Sequence, residues 1–130
     1  MNIYIDADAL VAWEKGEFDL PAWLRARPDD TVKFPATVWQ QLTYGLFAWQ
    51  EDRANKRSRY LQTISAHASV SDFSRRHAVR AAQITAELRQ QPIGFADAQI
   101  AATAMEDNSD LLSFNQKHFS RIPGLRLAAL

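Results

Sequence analysis

The stretch from residue 2 to residue 13 constrains the fold more than any other part of the chain. Residues 3–5 (Ile-Tyr-Ile) form an apolar run that is too short for an amphipathic helix and is typical of a buried strand in a parallel sheet. Asp6 follows this strand directly, and a helical pattern begins around Asp8. Ligands of open α/β sheets bind at the carboxyl ends of the strands, so we predict a functional role for Asp6. Asp8 is either a helix cap or a metal ligand.

Composition is typical of a single globular domain. The 130 residues are 47% hydrophobic, which is enough for one sizeable core, so we expect one domain spanning residues 1–130. Fifteen basic and fifteen acidic side chains give a formal net charge of zero, and binding of nucleic acid would therefore depend on local charge clusters. The absence of cysteine excludes disulfides, thiolate metal sites and cysteine nucleophiles.

No segment has the pattern of a secretory signal or a membrane span. The first 13 residues are too short and too acidic for a signal peptide. No apolar run approaches the length of about 18 residues that a membrane helix needs. We therefore expect a cytoplasmic protein without membrane contact.

Predicted strands and helices alternate along the chain. Beyond the first strand, apolar or alternating patterns predict strands at residues 31–35, 68–71, 110–114 and 125–127. The helical patterns between them predict a helix ending at Gly16, a short helix from Leu20, an aromatic helix over 38–49 with Thr37 as its cap, a charged helix from Glu51, a long helix capped by Asp72 and ending near Gln90, and a helix over Phe95–Glu106. This alternation predicts an α/β fold in three layers, with a mainly parallel sheet of four to five strands.

Two segments have compositions that suggest contact with partners. The helix over residues 38–49 carries an aromatic stripe that is normally core, and its Phe47 and Trp49 are candidates for contact with a second chain. Arg53, Lys56 and Arg57 belong to a basic cluster that follows it. This cluster is either a solvated helix face or a phosphate-binding patch, since clustered Lys and Arg supply the sequence-independent part of nucleic-acid affinity.

Three further polar residues occupy positions that suit chemistry. Asp97 falls in the first turn of the helix over Phe95–Glu106, and Asn115 follows the predicted strand at 110–114. Gln41 lies one turn into the aromatic helix. Side chains at the ends of rigid elements are held precisely, which a catalytic constellation requires.

Four short motifs occur in register along the chain: residues 5–10 (IDADAL), 35–45 (PATVWQQLTYG), 92–102 (PIGFADAQIAA) and 113–125 (SFNQKHFSRIPGL). With these motifs the chain resembles the PIN-domain family, and most closely the VapC toxins of bacterial toxin–antitoxin pairs. Each motif alone is weak. Together they cover nearly the whole chain in the order that the family has.

The resemblance implies a metal-dependent endoribonuclease with a compact α/β/α fold. In such an enzyme Asp6 and Asp97 would share Mg²⁺ or Mn²⁺, with Gln41 and Asn115 on the same wall of the pocket. A divalent ion activates water and neutralises charge on the leaving oxygen, and Mg²⁺ prefers carboxylate oxygens and several retained waters. The resemblance further implies a structured cellular RNA as substrate, a VapB-like antitoxin as partner and a homodimer.

The chain departs from the family pattern in the acidic set. Gln41 stands where the family usually has Glu, Asn115 where it has an acid or Asn, and His118 where some relatives carry a further acid. An amide oxygen brings no charge, so these departures should weaken the affinity for Mg²⁺. Asp8 can supply one of the missing charges. Ser113 is either a strand-end hydrogen-bond donor or a substrate contact.

Three alternatives to an active toxin remain open on sequence alone. The segment Asp6-Ala7-Asp8 is also similar to the first motif of haloacid-dehalogenase-type phosphatases, although no lysine occupies the matching downstream context. A PIN module that has lost catalysis and binds RNA or an antitoxin would also explain Gln41 and Asn115. Gln41 could also be a replacement introduced to tame a toxic protein.

Overall fold

A four-stranded, all-parallel sheet forms the centre of the molecule. The computed structural model describes all 130 residues. Its strands are β1 (Asn2–Ile5), β2 (Thr31–Pro35), β3 (Ser69–Ser71) and β4 (Asp110–Leu112), in the spatial order β3-β2-β1-β4. Parallel strands joined by helical crossovers have both faces covered, and β1, between two partners, is accordingly apolar at every residue after Asn2. The predicted α/β fold is confirmed.

Seven helices surround this sheet. They are α1 (Ala7–Glu14), α2 (Leu20–Arg25), α3 (Ala36–Ala48), α4 (Glu51–Ser65), α5 (Arg75–Glu87), α6 (Phe95–Glu106) and α7 (Gln116–Phe119). Helix α3 packs on α4, and α5 packs on α6. None of these helices combines the length and the hydropathy that a membrane span requires.

The core is one cluster of 27 buried residues that links the strands to the helices. Ile5 of β1 and Leu112 of β4 have no exposed surface. The middle of helix α6 is mostly buried, and Ala98, Ala101 and Ala102 are at most 1% exposed. Small side chains let the backbone of α6 lie close to its neighbours, which fixes the position of its first turn.

The register between β1 and β4 determines where the polar residues after the strands meet. Ile5 pairs with Leu112, and the backbone N–H of Asp6 donates to the carbonyl of Leu112 at 2.9 Å. The next residue on each strand, Asp6 and Ser113, therefore leaves the sheet at the same carboxyl edge. Adjacent parallel strands bring these two positions together although 107 residues separate them.

Three local predictions differ from the structure. The predicted fifth strand is a single parallel bridge from Leu127 to Leu111. Asp72 does not cap α5, because Ser74 is the capping residue and its backbone N–H donates to Nδ1 of His77 at 2.9 Å. Thr37 does not cap α3, because it already lies within the helix and its hydroxyl donates to Oε1 of Gln99 at 3.0 Å.

Candidate active site

Ser113 lies between two aspartates at the carboxyl edge of the sheet. Its hydroxyl oxygen is 2.9 Å from Oδ2 of Asp6 and 3.1 Å from Oδ2 of Asp8. Ser113 is fully buried and accepts the backbone N–H of Asn115 at 3.0 Å, so its position is fixed. A hydroxyl has one proton and can donate to only one of the two carboxylates at a time.

Asp6 is held by the start of α1 and is 8% exposed. Its Oδ1 accepts the backbone N–H of Ala7 at 2.8 Å. Burial, followed by the negative charge of Asp8, raises the pKa of Asp6 from 3.8 to about 6, although the hydrogen bonds from Ser113 and Ala7 oppose the shift. The charge of Asp97 contributes to the same rise in pKa. A cation beside Asp6 would therefore stabilise its ionised form.

Asp8 is the second carboxylate of the pair, in the first turn of α1. Its Oδ2 accepts the backbone N–H of Phe114 at 3.1 Å, whereas its Oδ1 is buried and has no hydrogen-bond partner. Burial raises the pKa of Asp8 above its usual range. A buried carboxylate oxygen without a donor is uncommon and costs free energy, so this atom is suited to a cation.

Asp97 approaches the aspartate pair from the first turn of α6. Its Oδ2 lies 2.9 Å from Nε2 of His118 on α7. Both side chains are partly exposed, 33% for Asp97 and 25% for His118. The sequence indicates His118 only through its place in the family motif, and the contact with Asp97 adds it to the site.

Gln41 and Asn115 are exposed at this end of the molecule. Gln41 lies one helical turn after Thr37. The hydroxyl of Thr37 donates to the side chain of Gln99 on α6, two residues after Asp97. The backbone of Asn115 supports Ser113, and neither side chain makes a hydrogen bond within the chain. The prediction that Gln41 and Asn115 contribute side chains to a shared pocket stays a prediction.

The residues at this edge fit a hydrated divalent cation held by few protein ligands. No group of three or more aspartate, glutamate, histidine or cysteine side chains is gathered around one point. Mg²⁺ commonly uses one or two carboxylates and keeps several waters. Such an ion would give the buried Oδ1 of Asp8 a partner. It would also stabilise the ionised form of Asp6, whose pKa is raised.

The prediction of a phosphate-contacting Arg57 is wrong. Arg57 is 6% exposed, and its guanidinium donates to both carboxylate oxygens of Glu14 at 2.5 and 2.7 Å and to the carbonyl of Leu42 at 2.9 Å. It therefore joins α4 to α1 and α3. Arg53 and Lys56 are exposed, and the guanidinium of Arg53 lies 3.6 Å from the ring centre of Trp49.

A second polar cluster lies around Asp107, at the end of α6 near the opposite edge of the sheet. The carboxylate of Asp107 accepts the hydroxyl of Tyr4 at 2.5 Å and the guanidinium of Arg76 at 2.6 Å, and its Oδ1 lies 2.9 Å from Nε2 of His77. Burial raises the pKa of Asp107, but these hydrogen bonds outweigh it and lower the pKa below its usual range. Because Tyr4 belongs to β1 and Arg76 and His77 belong to α5, this cluster anchors α5 and the end of α6 to β1.

Both the sequence and the fold of this chain are similar to those of known proteins. A sequence model described as the PIN domain matches residues 3–125. The fold is similar to that of a chain of VapBC2 from Rickettsia felis bound to a DNA fragment from the promoter, with a TM-score of 0.86, 23% identity and 98% of each chain covered.

Two further solved structures share the fold. A chain of DNA-bound VapBC from Salmonella typhimurium has a TM-score of 0.85 and 20% identity, covering 98% of this chain and 97% of that one. VapC20 of Mycobacterium tuberculosis, described as a toxin that cleaves the sarcin-ricin loop, has a TM-score of 0.68 and 13% identity, covering 95% and 98%. No curated protein sequence matches the chain.

Proposed function

This chain belongs to the PIN-domain family, and from that premise we propose that it is a divalent-metal-dependent endoribonuclease, the toxin of a toxin–antitoxin pair. The observation that carries the proposal is the pair of partly or fully buried carboxylates of Asp6 and Asp8, joined by Ser113 at the edge of the sheet where Asp97 also lies. Family membership replaces the phosphatase interpretation of Asp6-Ala7-Asp8.

Asp6 and Asp8 are the residues that would hold the cation, which we propose to be Mg²⁺ or Mn²⁺, and the charge of Asp97 would add to its attraction. When bound, such an ion would make a water nucleophilic near neutral pH and would neutralise the charge that develops on the leaving oxygen. Carboxylate oxygens match the preference of both ions.

The chain's own residues prepare this site by holding the carboxylates rigidly. The hydroxyl of Ser113 and the N–H of Ala7 direct the two oxygens of Asp6, and the N–H of Phe114 directs one oxygen of Asp8. The imidazole of His118 orients Asp97. A site whose ligands are already oriented loses little free energy to reorganisation when a substrate phosphate arrives.

We propose a structured cellular RNA as substrate and a VapB-like antitoxin as partner. Among the structural neighbours, VapC20 is described as cleaving the sarcin-ricin loop, and the others described above are complexes named VapBC. Arg53 and Lys56, both exposed on α4, remain candidates for phosphate contact. Arg53 also stacks on Trp49, which keeps its guanidinium in a defined place.

The experiment that tests the proposal replaces Gln41 by glutamate. We expect Gln41→Glu to raise the rate of cleavage of a structured RNA by about tenfold or more, since one more carboxylate strengthens divalent binding in a site already formed. The rate is measured with Mg²⁺ and with Mn²⁺, and chelation with EDTA should stop cleavage by every variant. Gln41→Glu combined with Asn115→Asp should be more active still.

Gln40→Glu is the matched control, because it adds the same charge one residue earlier on α3, on a different side of the helix. Its cleavage rate should equal that of the unmodified protein.

The alternative function is a PIN module without catalysis, favoured by Gln41 and by the lack of three gathered ligands. Folded variants that bind RNA but cleave at background, even with Gln41→Glu and Asn115→Asp together, would establish that alternative.

The exposed aromatic side chains of α3 lead us to propose a symmetric dimer. Phe47 is 88% exposed and Tyr44 is 65% exposed, which is unusual for large apolar residues of a monomer. Trp49, also predicted to meet a partner, is instead covered by the guanidinium groups of Arg53 and Arg57.

Sedimentation of the purified chain at micromolar concentration should show a dimer, and Phe47→Asp should shift it to the monomer. Gln50→Asp, which adds the same charge at an exposed polar position nearby, should leave the dimer unchanged. A monomeric unmodified protein would contradict the proposal. Phe47 and Tyr44 would then be candidates for contact with the antitoxin.

A further inference from the structure

Phe114 carries an exposed aromatic ring beside the two aspartates of the candidate active site. Its backbone N–H donates to Oδ2 of Asp8 at 3.1 Å. Three covalent bonds join that nitrogen to the ring, so at about 1.5 Å a bond the nearest ring carbon lies within about 8 Å of this carboxylate oxygen. A nucleotide whose phosphate is bound at Asp6 and Asp8 would therefore lie within reach of the ring.

The ring of Phe114 is held in place by contacts on two sides. Its backbone is fixed by the hydrogen bond to Asp8 and by the next residue, Asn115, whose N–H donates to the hydroxyl oxygen of Ser113 at 3.0 Å. The ring packs against Phe18, with the two centroids 5.1 Å apart and the ring planes at 81°. A nearly perpendicular contact covers at most one face of the Phe114 ring. The other face is available to a ligand.

The exposure of Phe114 acquires meaning from its location. The residue is 41% exposed, whereas Phe34 and Phe119 in the core have no exposed surface. Single exposed apolar side chains are common in folded proteins and do not by themselves indicate a function. Phe47 on α3 is more exposed, at 88%, but it takes part in none of the contacts that form the site. Phe114 is fixed by the same hydrogen bonds that orient the carboxylates.

We propose that the exposed face of Phe114 stacks on an unpaired base of the RNA, next to the phosphate that is bound at the aspartates. Proteins that bind single-stranded RNA stack its bases on aromatic side chains, and every base offers a π face. Phenylalanine has no polar atom that could read a base edge, so it selects an unpaired base and not a particular one. The inference rests on the proposed function for the presence of RNA, and it assigns substrate positioning to Phe114.

The test is photo-crosslinking of the protein to a short oligouridylate that contains one 5-iodouridine, which reacts with a stacked aromatic ring on irradiation. The reaction is run with Ca²⁺, a divalent ion that also binds carboxylates. We expect mass spectrometry to locate the crosslink at Phe114. Phe114→Leu removes the aromatic face but stays apolar, so it should abolish this crosslink and weaken binding of the oligouridylate by at least about fivefold. Phe114→Trp should restore both.

Phe47→Leu is the matched control, because it makes the same substitution at a more exposed phenylalanine. It should leave the crosslink and the affinity unchanged. An abasic oligonucleotide of the same length carries phosphates without bases, and it should bind Phe114→Leu as well as it binds the unmodified protein. A crosslink that falls only on other residues, or an equal loss of affinity for the abasic chain, overturns the inference.

The outcomes also separate this inference from the proposed function. A crosslink at Phe114 without cleavage in Mg²⁺ or Mn²⁺ supports stacking and argues against the nuclease. Cleavage without a crosslink at Phe114, and with full affinity in Phe114→Leu, supports the nuclease and overturns stacking. Thermal unfolding shows whether each variant is folded. If Phe114→Leu does not fold, the position of the crosslink in the unmodified protein decides.

Discussion

Replacement of Asp6 by asparagine is expected to abolish RNA cleavage and, at the same time, to make the folded protein more stable at neutral pH. Asparagine keeps the shape of the side chain and its contacts with Ala7 and Ser113, but it removes the charge that a divalent ion needs. The loss of a charged metal contact is expected to lower the cleavage rate by about 10³-fold or more.

The gain in stability follows from the raised pKa of Asp6. In the folded state this carboxyl group holds its proton up to about pH 6, whereas in the unfolded chain it ionises near 3.8. Stability from this group is therefore fully present below about pH 4, declines as the pH rises to about 6, and stays low above that. The shift corresponds to a cost of about 3 kcal/mol at neutral pH, which Asp6→Asn removes.

Urea unfolding of the metal-free proteins at several pH values measures this difference. The free energies of unfolding of the variant and the unmodified protein should be similar at about pH 4 and differ by about 3 kcal/mol at about pH 7. Asp29→Asn is the control, since Asp29 is an exposed aspartate in the turn before β2, at the opposite edge of the sheet. A destabilised Asp6→Asn at neutral pH would show that the ionised carboxylate does not strain the fold, and retained cleavage would remove Asp6 from the site.

The strand that positions Asp6 is predictable because its signal is local. Three apolar residues followed by an acid can be recognised without any partner, and β1 and β2 are found almost where the sequence places them. The contact of Ser113 with Asp6 and Asp8 requires the register of β1 against β4, which depends on residues more than 100 positions apart. The sequence could place Ser113 near the end of a predicted strand but could not show which residues its hydroxyl contacts.

The roles of charged side chains are the least predictable, because they depend on what lies opposite them. Arg53, Lys56 and Arg57 are equivalent in a sequence, yet only Arg57 faces Glu14, 43 residues away. In the same way, His118 becomes part of the site only because α7 brings it to Asp97. Resemblance to the family indicated the position of His118, whereas periodicity and composition did not.

Arg57→Met is expected to lower the free energy of unfolding by about 3 kcal/mol or more, since removal of one partner leaves a largely buried charge uncompensated. Glu14 would lose its two charge-assisted hydrogen bonds, and the carbonyl of Leu42 would lose its donor. Arg53→Met is the control: Arg53 also stacks on Trp49, but it is exposed, and its loss should cost less than about 1 kcal/mol.

A double-mutant cycle separates the ion pair from the packing of the long side chain. Glu14→Gln combined with Arg57→Met removes both charges, so it should be more stable than Arg57→Met alone, with a coupling of about 1 to 3 kcal/mol. Additive effects would mean that Glu14 and Arg57 do not stabilise each other. Arg57 also holds α3 through the carbonyl of Leu42, which directly follows Gln41. We therefore expect Arg57→Met to displace this part of α3 and to cancel the increase in cleavage rate that Gln41→Glu gives. Arg53→Met should leave that increase unchanged.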